Sequence, residues 1–259
     1  MNAKKIFVMS DVHSFYKEMR EALDREGFDI DNPNHIIVIC GDLFDRGPDA
    51  VALFEFVKEM AEKDRLTYVC GNHEDLLFDC ANEILRGRGV SHHHISNGTF
   101  DTICQFTGMN KYDLCFGPLD KVEYEKKMMP VFDFINYNAV DYAEAGDYIF
   151  VHGWIPCDPV LGKVADDWDQ STADWEGARW INGMAAWAKG AKIPGRTIVC
   201  GHFHSSWGHS HLHLDRKEFP QKNREDWQKS FEPFVDEGII AIDACTAYTG
   251  VVNCLVLDV

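Results

Sequence analysis

The chain has 259 residues, 46% hydrophobic and 26% charged, proportions that suit a globular protein with a sizeable core. Forty-two acidic against 25 basic residues give a net charge of −17, which opposes non-specific binding to nucleic acid or to an anionic membrane. No apolar stretch approaches the ~20 residues that span a bilayer, and the N-terminal MNAKKIFVMSDVHS is too briefly apolar for a signal peptide. We therefore expect a soluble, cytoplasmic protein. Nine cysteines without a C-x-x-C pair, several inside apolar runs (Cys40, Cys70, Cys200), are expected as reduced core thiols.

The first third repeats one pattern: an apolar run, a polar turn bearing Asp, His or Asn, then a segment with helical periodicity. KKIFVMS precedes a predicted helix near 15–26, HIIVICG one near 49–63 opened by Gly47-Pro48, and LTYVCG one near 74–86. This alternation predicts βαβ units and a largely parallel sheet. Residues 87–145 are less regular, with Gly and Asn punctuation in RGRGVSHHHISNGTF and helix near 120–137; we expect an inserted subregion or lid over the site. Four more strand-like runs follow (DYIFVHG, RTIVCGH, GIIAIDA and VVNCLVLDV), separated by a tryptophan-rich segment at 154–190 and a charged one at 215–237. They are expected to form a second sheet, mixed or antiparallel. With no repeat, low-complexity tract or linker, residues 1–259 are expected to form a single domain.

Five polar clusters sit where an apolar run ends: Ser10-Asp11-Val12-His13, Gly41-Asp42-Leu43-Phe44-Asp45-Arg46-Gly47, Gly71-Asn72-His73-Glu74, Val151-His152-Gly153 and Gly201-His202-Phe203-His204. In an α/β sheet the ligand crevice lies outside the carboxyl ends of the strands, so these clusters converge on one edge. Asp11 and His13, like His202 and His204, are two apart, which puts both side chains on one face of an extended strand. Mixed oxygen and nitrogen donors without thiolate suit manganese, iron or zinc. Six or seven such ligands exceed the needs of one tetrahedral ion, whereas two ions ~3.5–4 Å apart, bridged by a carboxylate, use them all.

The series D-x-H, GDxxDRG, GNHE, H-G and GH-x-H, spanning Asp11 to His204, resembles the calcineurin-like metallophosphoesterase superfamily. GDLFDRG with GNHE resembles its phosphoprotein phosphatase branch. Within that branch, Ser96-Asn97-Gly98-Thr99 with Thr102 is similar to the NGG-x-x-T segment of bacterial and phage protein phosphatases and of diadenosine tetraphosphate hydrolases. The resemblance implies a four-layer α/β/β/α sandwich of two mixed sheets. It also implies that Asp11 and His13 hold a first metal, that Asp42 bridges, and that Asn72, His152 and His202 hold a second. His73 resembles the general acid, with Asp45 hydrogen-bonded to it to orient the ring and raise its pKa. Arg46 would clamp the phosphoryl oxygens with its guanidinium fork.

The chain also departs from that pattern. SDVHS stands where the branch has GDxHG, which leaves both ligands intact. His204 is absent from typical phosphoprotein phosphatases and present in the wider superfamily; we expect it as a seventh ligand, on the first metal. A second phosphate-binding arginine finds only an out-of-register match in Arg179, which either reaches the cleft or lies at the surface against Trp175 or Trp180. Asn97 is expected to contact substrate. Tyr248, in IDACTAYTG, either borders the active site or packs at a strand-to-turn corner. His92-His93-His94 is expected in a loop, Gly208–His213 as an exposed strand face of solvated histidines, and the seven tryptophans mostly in the core, with one or two lining the groove.

The chemistry so implied is direct attack on phosphorus by a metal-bridging hydroxide, with two divalent ions as cofactors, manganese first and iron, zinc or nickel acceptable to the same donors. No Cys or Ser nucleophile stands beside a base, so no phosphoenzyme is expected. The leading reading is a serine/threonine protein phosphatase acting on phosphorylated proteins. The rival is hydrolysis of the anhydride in a dinucleoside polyphosphate. A non-catalytic phospho-binding module would have lost Asp42 or His73, and both are present. A nucleic-acid phosphodiesterase is disfavoured by the net charge and the absence of a basic stripe.

Overall fold

The computed structural model describes residues 4–87, 89–170, 172–220 and 224–258. The N-terminal third alternates as the sequence predicts: β1 (Lys5–Met9), α1 (Tyr16–Arg25), β2 (His35–Cys40), α2 (Ala50–Glu62), β3 (Leu66–Val69) and α3 (Asn72–Leu85). Helices α4 (His92–Ser96), α5 (Thr99–Thr107), α6 (Lys111–Phe116) and α7 (Lys121–Asn138) follow. Asp120 caps α7, its carboxylate accepting from the Val122 and Glu123 amides at 3.1 and 3.2 Å. Then come β4 (Ala139–Val140), β5 (Ala143–Ala145), β6 (Tyr148–Phe150), the small ladder β7 (Cys157–Asp158) and β8 (Lys163–Val164), α8 (Trp175–Ala178), α9 (Gly183–Lys189) and β9 (Thr197–Cys200). The chain closes with α10 (Ser206–Gly208), a π-turn over His209–His213, α11 (Arg224–Ser230), β10 (Phe234–Asp236), β11 (Ile239–Ala241), α12 (Thr246–Thr249) and β12 (Leu255–Asp258).

Two five-stranded mixed sheets result, ordered β12-β1-β2-β3-β4 and β10-β11-β9-β6-β5. Pairing is parallel from β1 through β4 and across β6, β9 and β11; β12, β10 and β5 add antiparallel edges. Strand periodicity of two sorts the apolar side chains into layers. Ile6, Val8, Val38, Cys40, Phe150 and Val199 face the space between the sheets. Their neighbours Phe7, Met9, Ile37 and Ile39 face outward, under α1, α2, α3, α5 and α7. On the far sheet Ile149, Ile198 and Cys200 face outward beneath Trp154, Trp175 and Met184. With both faces of each sheet covered, the strands read as unbroken apolar runs. The four-layer α/β/β/α sandwich is the observed fold.

Three local expectations are corrected. VVNCLVLDV does not join the second sheet: β12 pairs antiparallel with β1, Ile6 opposite Leu257. Gly208–His213 is not a strand; the chain coils through α10 into the π-turn, and His209 is buried. His92–Ser96 is helical rather than loop. Within 87–145, α5 and α7 pack against α2 and α3 and extend the outer helical layer, while β4 is an edge strand of the first sheet and β5 an edge strand of the second. These strands, two and three residues long, carry no β-branched run for periodicity to detect. Among the described residues no helix is long and apolar enough to cross a membrane.

Phe150, 1% exposed between the sheets, should be costly to truncate. Phe150→Ala is expected to lower the unfolding free energy by about 3–5 kcal/mol, whereas Tyr112→Ala, at a side chain 70% exposed, should change it by less than about 0.5 kcal/mol. Urea denaturation monitored by tryptophan fluorescence measures both, and equal midpoints for the two variants would contradict the layer assignment.

Candidate metal centre

The loops that follow β1, β2 and β9 turn sharply, and they turn through residues in the left-handed region. Asp11, His13, Ser14, Asp42, Asp45, Arg46 and His202 have φ between 50° and 76°, a conformation that costs a non-glycine residue about 1–2 kcal/mol. Seven of the ten positive-φ non-glycine residues described lie in this group, so the backbone strain is concentrated here. Hydrogen bonds between neighbouring loops hold it in place: His13 N donates to Asp42 O at 3.0 Å and Ser14 N to Leu43 O at 2.8 Å. The glycines of the motifs have a steric reason. A Cβ on Gly71 would lie 2.3 Å from Asp42 Oδ1, and one on Gly201 would lie 2.2 Å from Asp11 Oδ2.

Buried side chains converge at the strand ends. Ligand atoms of His13, Asp42 and His73 lie within 4.8 Å of one another, as do those of Asp42, His152 and His202; Asp42 belongs to both groups. Its Oδ2 is 3.7 Å from His13 Nε2, and its Oδ1 is 3.2 Å from His152 Nε2. Asp11 Oδ1 stands 4.0 Å from His13 Nε2, and Asn72 Oδ1 2.8 Å from His152 Nε2. The imidazoles are anchored from behind, His13 Nδ1 to Phe44 O at 2.9 Å and His152 Nδ1 to Cys40 O at 2.8 Å. A carbonyl only accepts, so each Nδ1 carries the hydrogen and each Nε2 turns a lone pair inward, the arrangement of an imidazole metal ligand. His73 differs in what its ring nitrogens meet: Nδ1 donates to the Asp45 carboxylate (Oδ2) at 2.6 Å, and Nε2 faces the Arg46 guanidinium (Nη2) at 3.2 Å.

The electrostatics fit a cation. Burial and the neighbouring Asp42 push Asp11 up to about 6, with His152 opposing. Burial also raises Asp42, Glu74 and Asp243. Burial lowers His13 and His152, and takes His202 down to about 3, which keeps these imidazoles neutral as ligation requires. Burial works against the charged form of His73 as well, yet Asp42 and the hydrogen bond to Asp45 outweigh it and hold its pKa above the ordinary value. Several carboxylates crowded in one buried place are a poor arrangement in isolation and a good one around divalent ions. The donor set therefore fits two ions sharing Asp42, with Asp11 and His13 on one side and Asn72, His152 and His202 on the other.

Not every predicted residue arrives. His204 points away, its Nδ1 2.8 Å from Ser206 Oγ, its Nε2 3.6 Å from Glu218 and its ring against Phe219; the tight turn at His202 ends the strand alternation that would have aligned it. Arg179 neither reaches the cleft nor stacks on a tryptophan. Its guanidinium forks to both Asp75 oxygens at 2.7 and 2.8 Å and to Asp141 at 2.8 Å. Asn97, capping the end of α4, bonds back to His93 O; it is Gly98, at φ 80°, that touches the site, since a Cβ there would lie 2.5 Å from Arg46 N. Tyr248 stacks on Trp227, meets Phe219 edgewise and lies tilted against Phe231. Arg46 itself is exposed, and so is Trp180, whose ring stands 5.9 Å from that of His202.

Two residues gain a place that the motifs alone did not give them. Glu74 accepts three backbone hydrogen bonds, from Gly71 at 2.7 Å, Asp42 at 3.1 Å and Leu43 at 2.9 Å, and so ties the turn after β2 to the start of α3. Its signal is a glutamate three residues after the cap of a helix, placed to reach back to the cap's amide. Asp243 is 5% exposed and lies close enough to Asp11 and Asp42 for their charges to raise its pKa, after burial itself. It follows the apolar run GIIAI as Asp11 and Asp42 follow theirs.

This geometry is that of a metallophosphoesterase, and the chain belongs to the calcineurin-like phosphoesterase family, which it matches over residues 4–206. Among curated proteins it is 26% identical over 217 residues to the bis(5'-nucleosyl)-tetraphosphatase PrpE [asymmetrical] of Bacillus velezensis, covering 74% of this chain and 81% of that protein. It is 27% identical over 159 residues to the protein of the same name from Bacillus subtilis, covering 59% of each. Among solved structures, a cold-active protein-tyrosine phosphatase of a psychrophilic Shewanella aligns over 98% of this chain and 75% of its own, with a TM-score of 0.48 and 15% identity.

Glu74→Gln would set an amide NH2 against backbone donors. We expect it to lower the unfolding free energy by about 2–3 kcal/mol and to weaken divalent-metal binding by about 10–100-fold, read by denaturation and by chelator competition. Metal affinity equal to that of the wild type would remove Glu74 from the support of Asp42.

Proposed function

We propose that the chain hydrolyses the phosphate anhydride of a dinucleoside tetraphosphate asymmetrically, releasing a nucleoside triphosphate and a nucleoside monophosphate, at a centre holding two divalent ions. The observation that carries the chemistry is the buried Asp42 carboxylate shared by two groups of ligand atoms. The substrate class is supported by the likeness to the bis(5'-nucleosyl)-tetraphosphatases, which extends over 74% of this chain in the first of them.

Asp11, His13 and Asp42 would hold one ion, and Asp42, Asn72, His152 and His202 the other, manganese being the first candidate and iron, zinc and nickel acceptable to the same donors. When bound, the ions supply Lewis-acid polarisation of the phosphoryl oxygens and an activated water. Arg46 offers its exposed guanidinium to the phosphate. In drawing that side chain toward itself, the phosphate frees His73 Nε2, which Arg46 otherwise covers at 3.2 Å. Asp45 keeps the opposite edge of the ring fixed, Thr99 in turn donating to Asp45 at 2.7 Å. A His73 held above its ordinary pKa by Asp42 and Asp45 carries a proton on Nε2 for the departing oxygen. Trp180, 46% exposed beside His202, presents an indole on which a base can stack.

The serine/threonine phosphatase reading retains one support, the GDLFDRG and GNHE segments, and leaving-group chemistry separates it from the dinucleotide reading. An alkoxide leaving from phosphoserine needs a proton far more than a nucleotide phosphate does. His73→Asn is expected to keep its metals and to lose about 10²-fold in kcat on diadenosine tetraphosphate, with ATP and AMP as products. Two ADP molecules instead would contradict the asymmetric cut. Turnover of a phosphoserine peptide without turnover of the dinucleotide would overturn the proposal in favour of a protein phosphatase. Trp180→Ala should raise KM for the dinucleotide about 5–100-fold, from a stack worth about 1–3 kcal/mol, and leave p-nitrophenyl phosphate unaffected; equal effects on both substrates would place the indole in the fold alone.

A further inference from the structure

A second set of metal donors follows the turn that carries His202 in the chain, where α10 runs into the π-turn. His209, His213 and Asp215 each offer a ligand atom within 4.8 Å of the other two. His209 is 4% exposed, and its Nδ1 is buried without a hydrogen-bond partner. That atom faces Asp215 Oδ1 at 3.6 Å, beyond a hydrogen bond and near the ~3.3 Å that separates two ligands on one tetrahedral ion with bonds of about 2.0–2.1 Å.

The surroundings are arranged as they are behind a ligating histidine. His209 Nε2 stands 3.1 Å from the Glu232 carbonyl. The carbonyl only accepts, so Nε2 holds the hydrogen and Nδ1 keeps its lone pair. His213 Nε2 stands 3.0 Å from Asp236 Oδ2, a carboxylate–imidazole pair of the kind that backs a ligating histidine, and among the described residues its second nitrogen takes no hydrogen bond. Asp215 meets Arg216 Nε through its other oxygen, at 3.6 Å, so Oδ1 remains for the group. The backbone conforms to it as well: Asp215 N reaches back to His209 O at 3.2 Å, and Leu214 at φ 58° turns the chain so that Asp215 faces the two rings. Burial lowers the His209 pKa and so favours the neutral imidazole. By contrast, the other group of this kind, Asp79, Glu83 and His94, has a histidine with no anchored ring nitrogen, since His94 Nδ1 is unpartnered and Nε2 faces the two carboxylates.

We propose that His209, His213 and Asp215 form a third metal site, separate from the dinuclear centre, that takes a tetrahedral divalent ion of the zinc class, with water in the fourth position. Two nitrogens and one oxygen suit zinc, and His213 and Asp215, both exposed, leave the open side. The ion would fasten the π-turn through Glu232 and Asp236 to β10, beside Phe234, whose ring lies 4.5 Å from that of His213.

Metal-stripped full-length protein is titrated with zinc, and bound zinc is measured by elemental analysis after gel filtration. Wild type should hold three equivalents, and His213→Ala and Asp215→Asn two each, with p-nitrophenyl phosphate hydrolysis unchanged by either. In the Asp42→Asn background, cobalt(II) should still give the intense visible absorption of a tetrahedral site, and adding Asp215→Asn should abolish it. An equal zinc count in wild type, His213→Ala and Asp215→Asn would overturn the proposal, whatever becomes of the dinuclear centre.

Discussion

The arrangement of this protein turns on the burial of Asp42 among other carboxylates. Asp11, Asp42, Asp45, Glu74 and Asp243 are all at most 5% exposed and meet at the ends of strands from both sheets. In a low-dielectric interior such a group is held together only if something compensates its charge. Backbone amides supply part of this: Glu74 takes three, Asp11 takes the amide of His202, and Asp42 takes that of His73. These amides lie in the turns after β2, β3 and β9 and at the start of α3, so the same hydrogen bonds that ease the charge also fix the positions of the ligands. Burial and Asp42 still push Asp11 up to about 6 against these amides and His152, so the compensation is incomplete. A divalent ion on each side of Asp42 would complete it.

From that constraint follows the shape of the loops. Side chains from separate strands can converge only if each strand stops abruptly, and here the stop is a left-handed residue at Asp11, Asp42 or His202. A turn this tight brings backbone against the neighbouring ligand, which leaves hydrogen as the only side chain that fits at Gly71 and Gly201. Both sheets must be rigid for this to hold, and the apolar layer between them, with Val8, Val38, Phe150 and Val199, supplies that rigidity. The fold and the site are thus joined at single residues: Val199 and Cys200 pack the sheet, and Gly201 and His202 immediately begin the site.

How much of this was legible in the sequence depends on whether a feature is local. The strands β1, β2, β3, β6 and β9 and their polar termini were readable because apolar runs and the residues that end them are adjacent in the chain. Asp243 follows the same rule after GIIAI, yet it is harder to notice because no histidine accompanies it. His204 shows the opposite case. Its spacing from His202 predicts a shared face only if the chain stays extended, and the positive φ of His202 breaks that premise, as that of Asp11 does for the pair with His13, whose ring is brought into the site by the turn and not by strand alternation. Arg179 was legible as a charged residue near tryptophans, but its partners Asp75 and Asp141 lie far away in sequence, and only the tertiary fold brings the three together. The edge strands β4 and β5 and the π-turn at His209–His213 have too few residues, or too unusual a period, for a periodic pattern to show.

The charge distribution also bears on how a polyphosphate could approach. A chain with net charge −17 and a nest of carboxylates at its crevice repels such a substrate at long range, so attraction has to be generated within the crevice. Arg46 is placed for that: it is exposed, it stands against His73, and its backbone is braced by Gly98. One guanidinium cannot balance a tetraphosphate, so substrate affinity in this reading depends on the ions held by the buried residues. Arg179, its two terminal nitrogens held by Asp75 and Asp141, is paired away from that attraction and instead ties α3, which carries Asn72 and His73, to the segment between β4 and β5. Metal binding and substrate binding are in this way one electrostatic problem, and Asp42, within reach of both groups of ligands and of the His73 ring, is where its two halves meet.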